Sequence, residues 1–244
     1  MNSLLLTISR VAENQWHAVE NDLVVGRGHA SRRLDGRTFL SIDTWDEAVF
    51  DRLAAAMLTD HPSPLYTVVD ETDRELTTAW ERAGFTTWRR EREFVVPTAG
   101  ITPAPLPPGV VITAADKEPL RELDHALRAE IDWSTMPAEV LPWQGGTTPI
   151  DPSTYTIAQR NGQYVGLLRL ATATRQPRIG LIAVRAGERR TGIGRALLTH
   201  ALHHLGAETV VAEVNETNAA ALALFESLGA RHTNSNLELV HGKA

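Results

Sequence analysis

The chain has 244 residues, 43% hydrophobic and 22% charged, the make-up of a globular protein with apolar side chains enough for a sizeable core. It has no cysteine, which excludes disulfide scaffolds, thiolate zinc sites, iron–sulfur clusters and cysteine nucleophiles. Lys and Arg number 24 against 30 Asp and Glu, a formal charge of −6, so no nucleic-acid partner is expected on a globally basic surface.

The first ten residues hold one short apolar run, Leu4 to Leu6, too short for a signal peptide's core or a bilayer span. No other stretch approaches a span, so a soluble, cytoplasmic protein without a membrane partner is expected. Three strands are predicted at 16–19, 23–25 and 38–42, with Gly26-Arg27-Gly28 read as a hairpin turn. A helix at 46–58 and a strand at 65–69 follow. Composition then breaks at 97–109, where Pro97, Pro103, Pro105, Pro107 and Pro108 remove amide donors and favour a stiff, extended connector. The expected division is a domain at 1–96, a proline-rich linker at 97–109 and a domain at 110–244.

Beyond the linker, 110–113 reads as a strand. Asp116 opens a helix with Pro119 in its first turn and Leu120, Leu123 and Leu127 on one face. Residues 131–152 carry prolines and Gly145-Gly146 and read as loop. Strands at 155–158 and 164–173 meet at Asn161-Gly162, a hairpin signal. A strand at 178–184, a helix at 192–205, a strand at 209–214, a helix at 219–228 ended by Gly229, and a strand at 237–240 complete the order. Helices between late strands imply an α/β fold with a mixed sheet covered on both faces.

The chain also contains a diluted repeat. Residues 69–85 align without a gap onto 214–230: Val69, Glu71, Thr72, Glu81 and Gly84 stand opposite Val214, Glu216, Thr217, Glu226 and Gly229, and Asp70 and Asp73 opposite Asn215 and Asn218. The flanking strands match in character, so the first half reads as the latter part of the same fold without its first helices.

Chemistry concentrates where the 178–184 strand runs through Arg189-Arg190-Thr191-Gly192-Ile193-Gly194-Arg195 into a helix. Amides at a helix start lack intrahelical partners and sit at the positive end of the dipole. Gly192 and Gly194 let an anion approach the backbone, and Arg189, Arg190 and Arg195 add charge. This is a diphosphate-binding turn. A P-loop would need Gly-Lys-Ser or Gly-Lys-Thr where Gly194-Arg195-Ala196 stands, and a dinucleotide fingerprint would need glycine at Leu197.

The Arg-x-x-Gly-x-Gly pattern resembles the coenzyme A pyrophosphate loop of the GNAT superfamily, the GCN-five-related N-acetyltransferases. The stretch from Asn218 through Phe225 to Gly229 is similar to that family's second signature, in the proper order, and the resemblance covers roughly 110–240. It implies a GNAT-like mixed sheet flanked by helices, in two tandem domains with the first truncated. It implies acetyl-CoA as cosubstrate and no metal. The pantetheine arm would pair with the backbone of Ile182, Ala183 and Val184, the pyrophosphate would sit on Arg189, Arg190, Thr191, Gly192, Ile193, Gly194 and Arg195, and Asn218 and Phe225 would line the same site. An amine would attack the thioester directly.

Phe225 stands where the family often has a tyrosine acid and has no proton to give. Glu213, near the expected cleft, is a candidate base. Glu130, Asp132 and Trp133, with Trp143, occupy the region that shapes the acceptor pocket in the family and would suit a cationic amine, although exposed helix-end acids and core tryptophans would look the same. His200, His203 and His204 read as structural at a helix C-terminus rather than as a metal cluster. The first half has an acidic, glycine-free loop at Asp43-Thr44-Trp45-Asp46-Glu47 where the second has its anion turn. The expectation is an N-acetyltransferase acting on a small-molecule amine, monomeric or homodimeric. An acetyltransferase for protein N-termini or lysines and a non-catalytic acyl-CoA-binding regulator stay open.

Overall fold

The computed structural model describes residues 6–33, 35–131, 150–172 and 176–242. In chain order it contains β1 (Thr7–Ala12), β2 (Gln15–Glu20), β3 (Leu23–Arg32), β4 (Thr38–Asp43), α1 (Glu47–Asp60), β5 (Leu65–Asp70), α2 (Arg74–Arg82) and β6 (Thr86–Pro97). There follow β7 (Val110–Ala114), α3 (Lys117–Glu130), β8 (Tyr155–Arg160), β9 (Gln163–Ala171), β10 (Arg178–Val184), α4 (Ile193–His204), β11 (Thr209–Asn215), α5 (Ala219–Glu226) and β12 (Arg231–His241). The chain separates into two compact units, Met1–Arg90 with Ser235–Ala244, and Glu91–Asn234.

In the first unit β1 to β4 form an antiparallel run, and β4 then lies parallel to β5 with ladder partners only at Thr38–Leu65 and Phe39–Tyr66. Residues Asn236 to His241 of β12 pair antiparallel with β5. Helix α1 starts where the Asp46 carboxylate accepts from the Val49 N–H, a side-chain cap worth about 1 kcal/mol. One sheet face buries Trp16, Leu40, Leu65 and Leu239 against Phe50, Leu53 and Met57 of α1 and Trp80 of α2. The opposite face carries Phe39, Tyr66, Val240 and Trp88, with the Arg37 guanidinium about 5 Å from three of these rings. Burial there pushes the Tyr66 phenol up from its ordinary range.

The Gly26-Arg27-Gly28 segment is not a turn. The hairpin turn is Asn21-Asp22, both with left-handed backbone (φ 50° and 61°), and the glycines lie inside β3. Helix α1 explains them: a Cβ on Gly26 would come 2.7 Å from Val49 Cγ1 and 3.0 Å from Leu53 Cδ1. Gly26→Ala is therefore expected to destabilise the protein by about 1–3 kcal/mol through overpacking, read as a lowered melting temperature. An unchanged melt would mean that α1 moves away at no cost.

In the second unit residues 91–97 of β6 pair antiparallel with β11 over their whole length. β11 is parallel to β10, and β10, β9, β8 and β7 follow as antiparallel neighbours. Successive β9 residues face opposite ways, as a pleated strand requires. Leu167 meets Leu120, Leu123 and Leu127 of α3, while Leu168 shares a core with Ile193, Leu197 and Leu198 of α4. Both faces of this sheet are covered.

The compact units divide at residues 90 and 235, and the proline-rich 97–109 segment lies inside the second unit. The segment is fixed along α4: the Ala104 N–H donates to Thr199 Oγ1 at 2.9 Å, and His203 Nδ1 lies 3.0 Å from the Ile101 carbonyl oxygen. Its first residues hold the end of the α4–β11 connection, with the Thr98 N–H donating to the Glu208 carbonyl at 3.0 Å.

Candidate functional site

Strands β10 and β11 share ladder partners only at Arg178–Val211 and Ile179–Ala212, and then part. A bulge in β10 accompanies the divergence: the register against β9 slips between Ile179 and Leu181, leaving buried Gly180 as the extra residue. The Arg185 N–H donates to the Val165 carbonyl, so 183 and 185 face β9. By antiparallel alternation the amides and carbonyls of Ile182 and Val184 face the other way, into the gap. The gap is a cleft of about 480 Å³, with Gly180 to Val184 on one wall and Val214, Asn215, Ala221 and Phe225 on the other.

The turn after β10 leads directly into α4. Gly192 caps the helix with φ 97°, and Arg190 is also left-handed (φ 64°). The first intrahelical bond runs from the Ala196 N–H to the Gly192 carbonyl, so the amides of Ile193, Gly194 and Arg195 precede the ladder, and no side chain among the described residues caps them. A Cβ on Gly194 would meet Val184 Cγ2 only at 3.9 Å, so the space beside it is open. Three free amides, the dipole and Arg189, Arg190 and Arg195 suit an anion such as a diphosphate. Thr191 Oγ1 donates to the Glu188 carbonyl and helps shape the turn.

Arginine placement was not legible in the sequence. Arg189 Nε donates to the Val184 carbonyl at 3.0 Å, one of the groups facing the cleft. Arg195 donates to Ser227 Oγ at 2.8 Å. Glu130, at the end of α3, lines the cleft and uses both oxygens on the turn: Oε1 accepts from Arg185 Nε and Oε2 from the Ala186 N–H, each at 2.6 Å. The Ala186 amide above all, then Arg185 and the Arg189 charge, hold its carboxyl below the ordinary glutamate range.

Across the cleft, the Asn218 side chain caps α5 by accepting from the Ala221 N–H at 3.1 Å, and Asn215 Oδ1 accepts from the Thr217 amide and hydroxyl. Asp73 and Asp70 do the same at the start of α2, Asp73 for the Leu76 N–H and Asp70 for the Thr72 amide and hydroxyl. The sequence match between 69–85 and 214–230 is thus a match of turn geometry. Phe225 is buried on the cleft wall and stacks on Phe94 at 6.3 Å between centroids. Glu213 lines the cleft with its Oε2 2.5 Å from an Arg178 guanidinium nitrogen. Asp132, Trp133 and Trp143 lie outside the described residues. Burial first, then the neighbouring His204 and His203, keeps the His200 imidazole below the ordinary histidine range. Among the described residues no group of His, Asp or Glu side chains is placed to hold a metal, and no helix is long and apolar enough to cross a membrane.

The described residues thus form an α/β fold in which a parted parallel strand pair lies beside an uncapped helix start, with Arg189 and Arg190 in the turn before it and Arg195 in its first turn. Residues 120–230 match the model of the Acetyltransferase (GNAT) family. The mycothiol acetyltransferase of Thermobispora bispora is 32% identical over 158 residues, 58% of this chain and 52% of that protein. The ribosomal protein bS18-alanine N-acetyltransferase of Escherichia coli is 51% identical over 51 residues, 20% of this chain and 34% of that protein. The chain thus spans about half the length of the first relative and a third of the second. Among solved structures, a GCN5-related N-acetyltransferase from Sphaerobacter thermophilus superposes with a TM-score of 0.70 at 16% identity, over 95% of this chain and 81% of that one. A tandem GNAT protein from the clavulanic acid biosynthesis pathway gives 0.63 at 14% identity, over 94% and 83%. At such identities the likeness shows the fold.

Proposed function

We propose that this protein is an acetyl-CoA-dependent N-acetyltransferase that passes an acetyl group directly to the primary amine of a small molecule. The observation that carries the reading is the β10 edge that has no ladder with β11 beyond Ile179, with Arg189 on the Val184 carbonyl, ending at the uncapped α4 start. The pantetheine amides pair with that edge as an added strand, the pyrophosphate rests on the amides of 193–195, and the thioester lies where β10 and β11 part. The amine nitrogen attacks the carbonyl carbon, the carbon–sulfur bond breaks, the amine's proton leaves to a base or water, and the thiolate takes up a proton. Glu213 is the cleft carboxylate assigned as base, oriented by Arg178; Phe225 supplies no proton, so the thiolate is protonated by water or another residue.

The relative named for mycothiol aligns with more of this chain than does the relative named for a ribosomal protein alanine, which favours a small acceptor. The high identity of the second over its short span supports the other reading, a protein N-terminus as acceptor. We assign the first unit as a degenerate partner of the second in a tandem arrangement. Its parallel β4–β5 pair has two ladder partners, as β10–β11 has, and its acidic 43–47 loop repels diphosphate. It binds no coenzyme A.

Release of coenzyme A thiol from acetyl-CoA, measured with a panel of small amines and N-terminal peptides, tests the activity. Turnover only with peptides would move the assignment to the protein acceptor, and none with any amine would leave an acyl-CoA-binding protein. In the same assay Phe225→Tyr is expected to keep turnover within about tenfold of wild type or to raise it, since a new general acid contributes at most a few kcal/mol. Complete loss would show that the ring packs against the thioester.

A further inference from the structure

Glu130 presents a contradiction that the proposed diphosphate site does not absorb. A carboxylate kept ionised on the wall of an anion-binding cleft repels the ligand, and its cost must be offset by something it holds. What it holds is the turn itself. Its two oxygens clasp consecutive residues, Arg185 through Nε and Ala186 through the backbone N–H, both at 2.6 Å, while an Arg189 guanidinium nitrogen stands 3.9 Å away. These residues form the bend that carries the chain from β10 to Gly192, closed by the Glu188 N–H donating to the Arg185 carbonyl and the Thr191 hydroxyl donating to the Glu188 carbonyl. Glu188 is itself paired with Arg160 of β8. The bend is therefore pinned from two sides, by α3 through Glu130 and by β8 through Glu188. Glu130 is the pin that touches the backbone amide next to the cleft.

Resting on the acetyl-CoA reading, we infer that Glu130 is a positioning residue for the diphosphate end of the ligand rather than an acceptor-binding carboxylate. It fixes the 185–190 bend so that Arg189 and the α4 amides are set before the ligand arrives. A preset bend spares the ligand the ordering of mobile backbone. The effect falls mainly on the diphosphate end, because β10 keeps its register against β9 through Val184 and the bend reaches that edge through the single Arg189 bond to the Val184 carbonyl.

The test is calorimetric binding of coenzyme A, and of pantetheine, which has the thiol arm without the diphosphate, to the full chain. Glu130→Gln removes the charge and leaves one acceptor oxygen for the two donors, Arg185 Nε and the Ala186 N–H, while Glu130→Asp keeps the charge but shortens the reach. Each is expected to weaken coenzyme A about tenfold, the scale of one lost charge-assisted hydrogen bond, and to change pantetheine affinity less than about twofold, with melting temperatures close to wild type. Unchanged or tighter coenzyme A binding by Glu130→Gln would overturn the inference, since the carboxylate would then act only by repulsion. Equal losses for both ligands would also overturn it, by revealing a general disturbance. Wild-type protein that binds no coenzyme A would instead overturn the acetyl-CoA reading on which the inference rests.

Discussion

Gly192→Val is expected to weaken coenzyme A binding at least about a hundredfold while leaving the protein folded. The reason is backbone conformation, not crowding. A Cβ at Gly192 would meet only Pro107 Cγ, at 3.9 Å, but φ is 97°, a region closed to β-branched side chains. Holding valine there costs on the order of 1–3 kcal/mol, so the turn reforms and the amides of 193–195 lose their common aim. Each lost amide contact adds about 1 kcal/mol, and 1.4 kcal/mol is tenfold in affinity. Reversing the charges of Arg189 and Arg190 to glutamate attacks the same site by a second route and is expected to abolish binding. Calorimetry measures both, with circular dichroism to confirm the fold. Undiminished affinity in either variant would remove the anion site from the account.

A fragment of residues 110–244 is expected to be insoluble, or to melt far below the full chain, although it carries every proposed coenzyme A contact. Without 91–97, β11 loses its antiparallel partner, and the buried Phe94 and Val96 leave the core they share with Val210 and Phe225. Burial of two such side chains is worth roughly 3–6 kcal/mol, against a total stability of about 5–15 kcal/mol for a typical protein. Residues 236–241 meanwhile keep Leu237, Leu239 and Val240 but lose β5, so an apolar strand is left without its partner. A fragment of 91–234, the compact unit, is expected to be the better behaved of the two. Equal solubility and a full-length melting temperature for 110–244 would show that both pairings are dispensable.

Why the sequence missed β6 is a matter of which residues fill its inward positions. Most strands and helices announced themselves through apolar periodicity, and the anion turn through its glycines and arginines. In β6, however, Arg89 and Glu91 are buried where a strand pattern calls for apolar side chains. Arg89 is paired with buried Glu238 of β12, a compensation that lies 149 residues away along the chain. No local rule reveals it. Gly26 and Gly28 misled for the opposite reason: their signal was local, but its cause was the approach of α1. The cleft was legible as a family expectation, whereas the Glu130 clasp and the Arg178 partner of Glu213 depend on contacts that no spacing encodes.

The pairing of β5 with residues 236–241 also sets an order of events at the ribosome. Asp70 is made well before Asn236, its strand neighbour, with the whole second unit translated between them. At about 5–20 residues per second the interval is on the order of ten seconds or more. Throughout it the first unit is short of a strand, with the Trp80 and Leu65 side of its core lacking Leu237 and Leu239. Nascent chains of this protein therefore cannot finish their first-made unit first. They wait for residues 236–241, and slower translation of the second unit lengthens the time in which chaperones and proteases can reach an unfinished sheet.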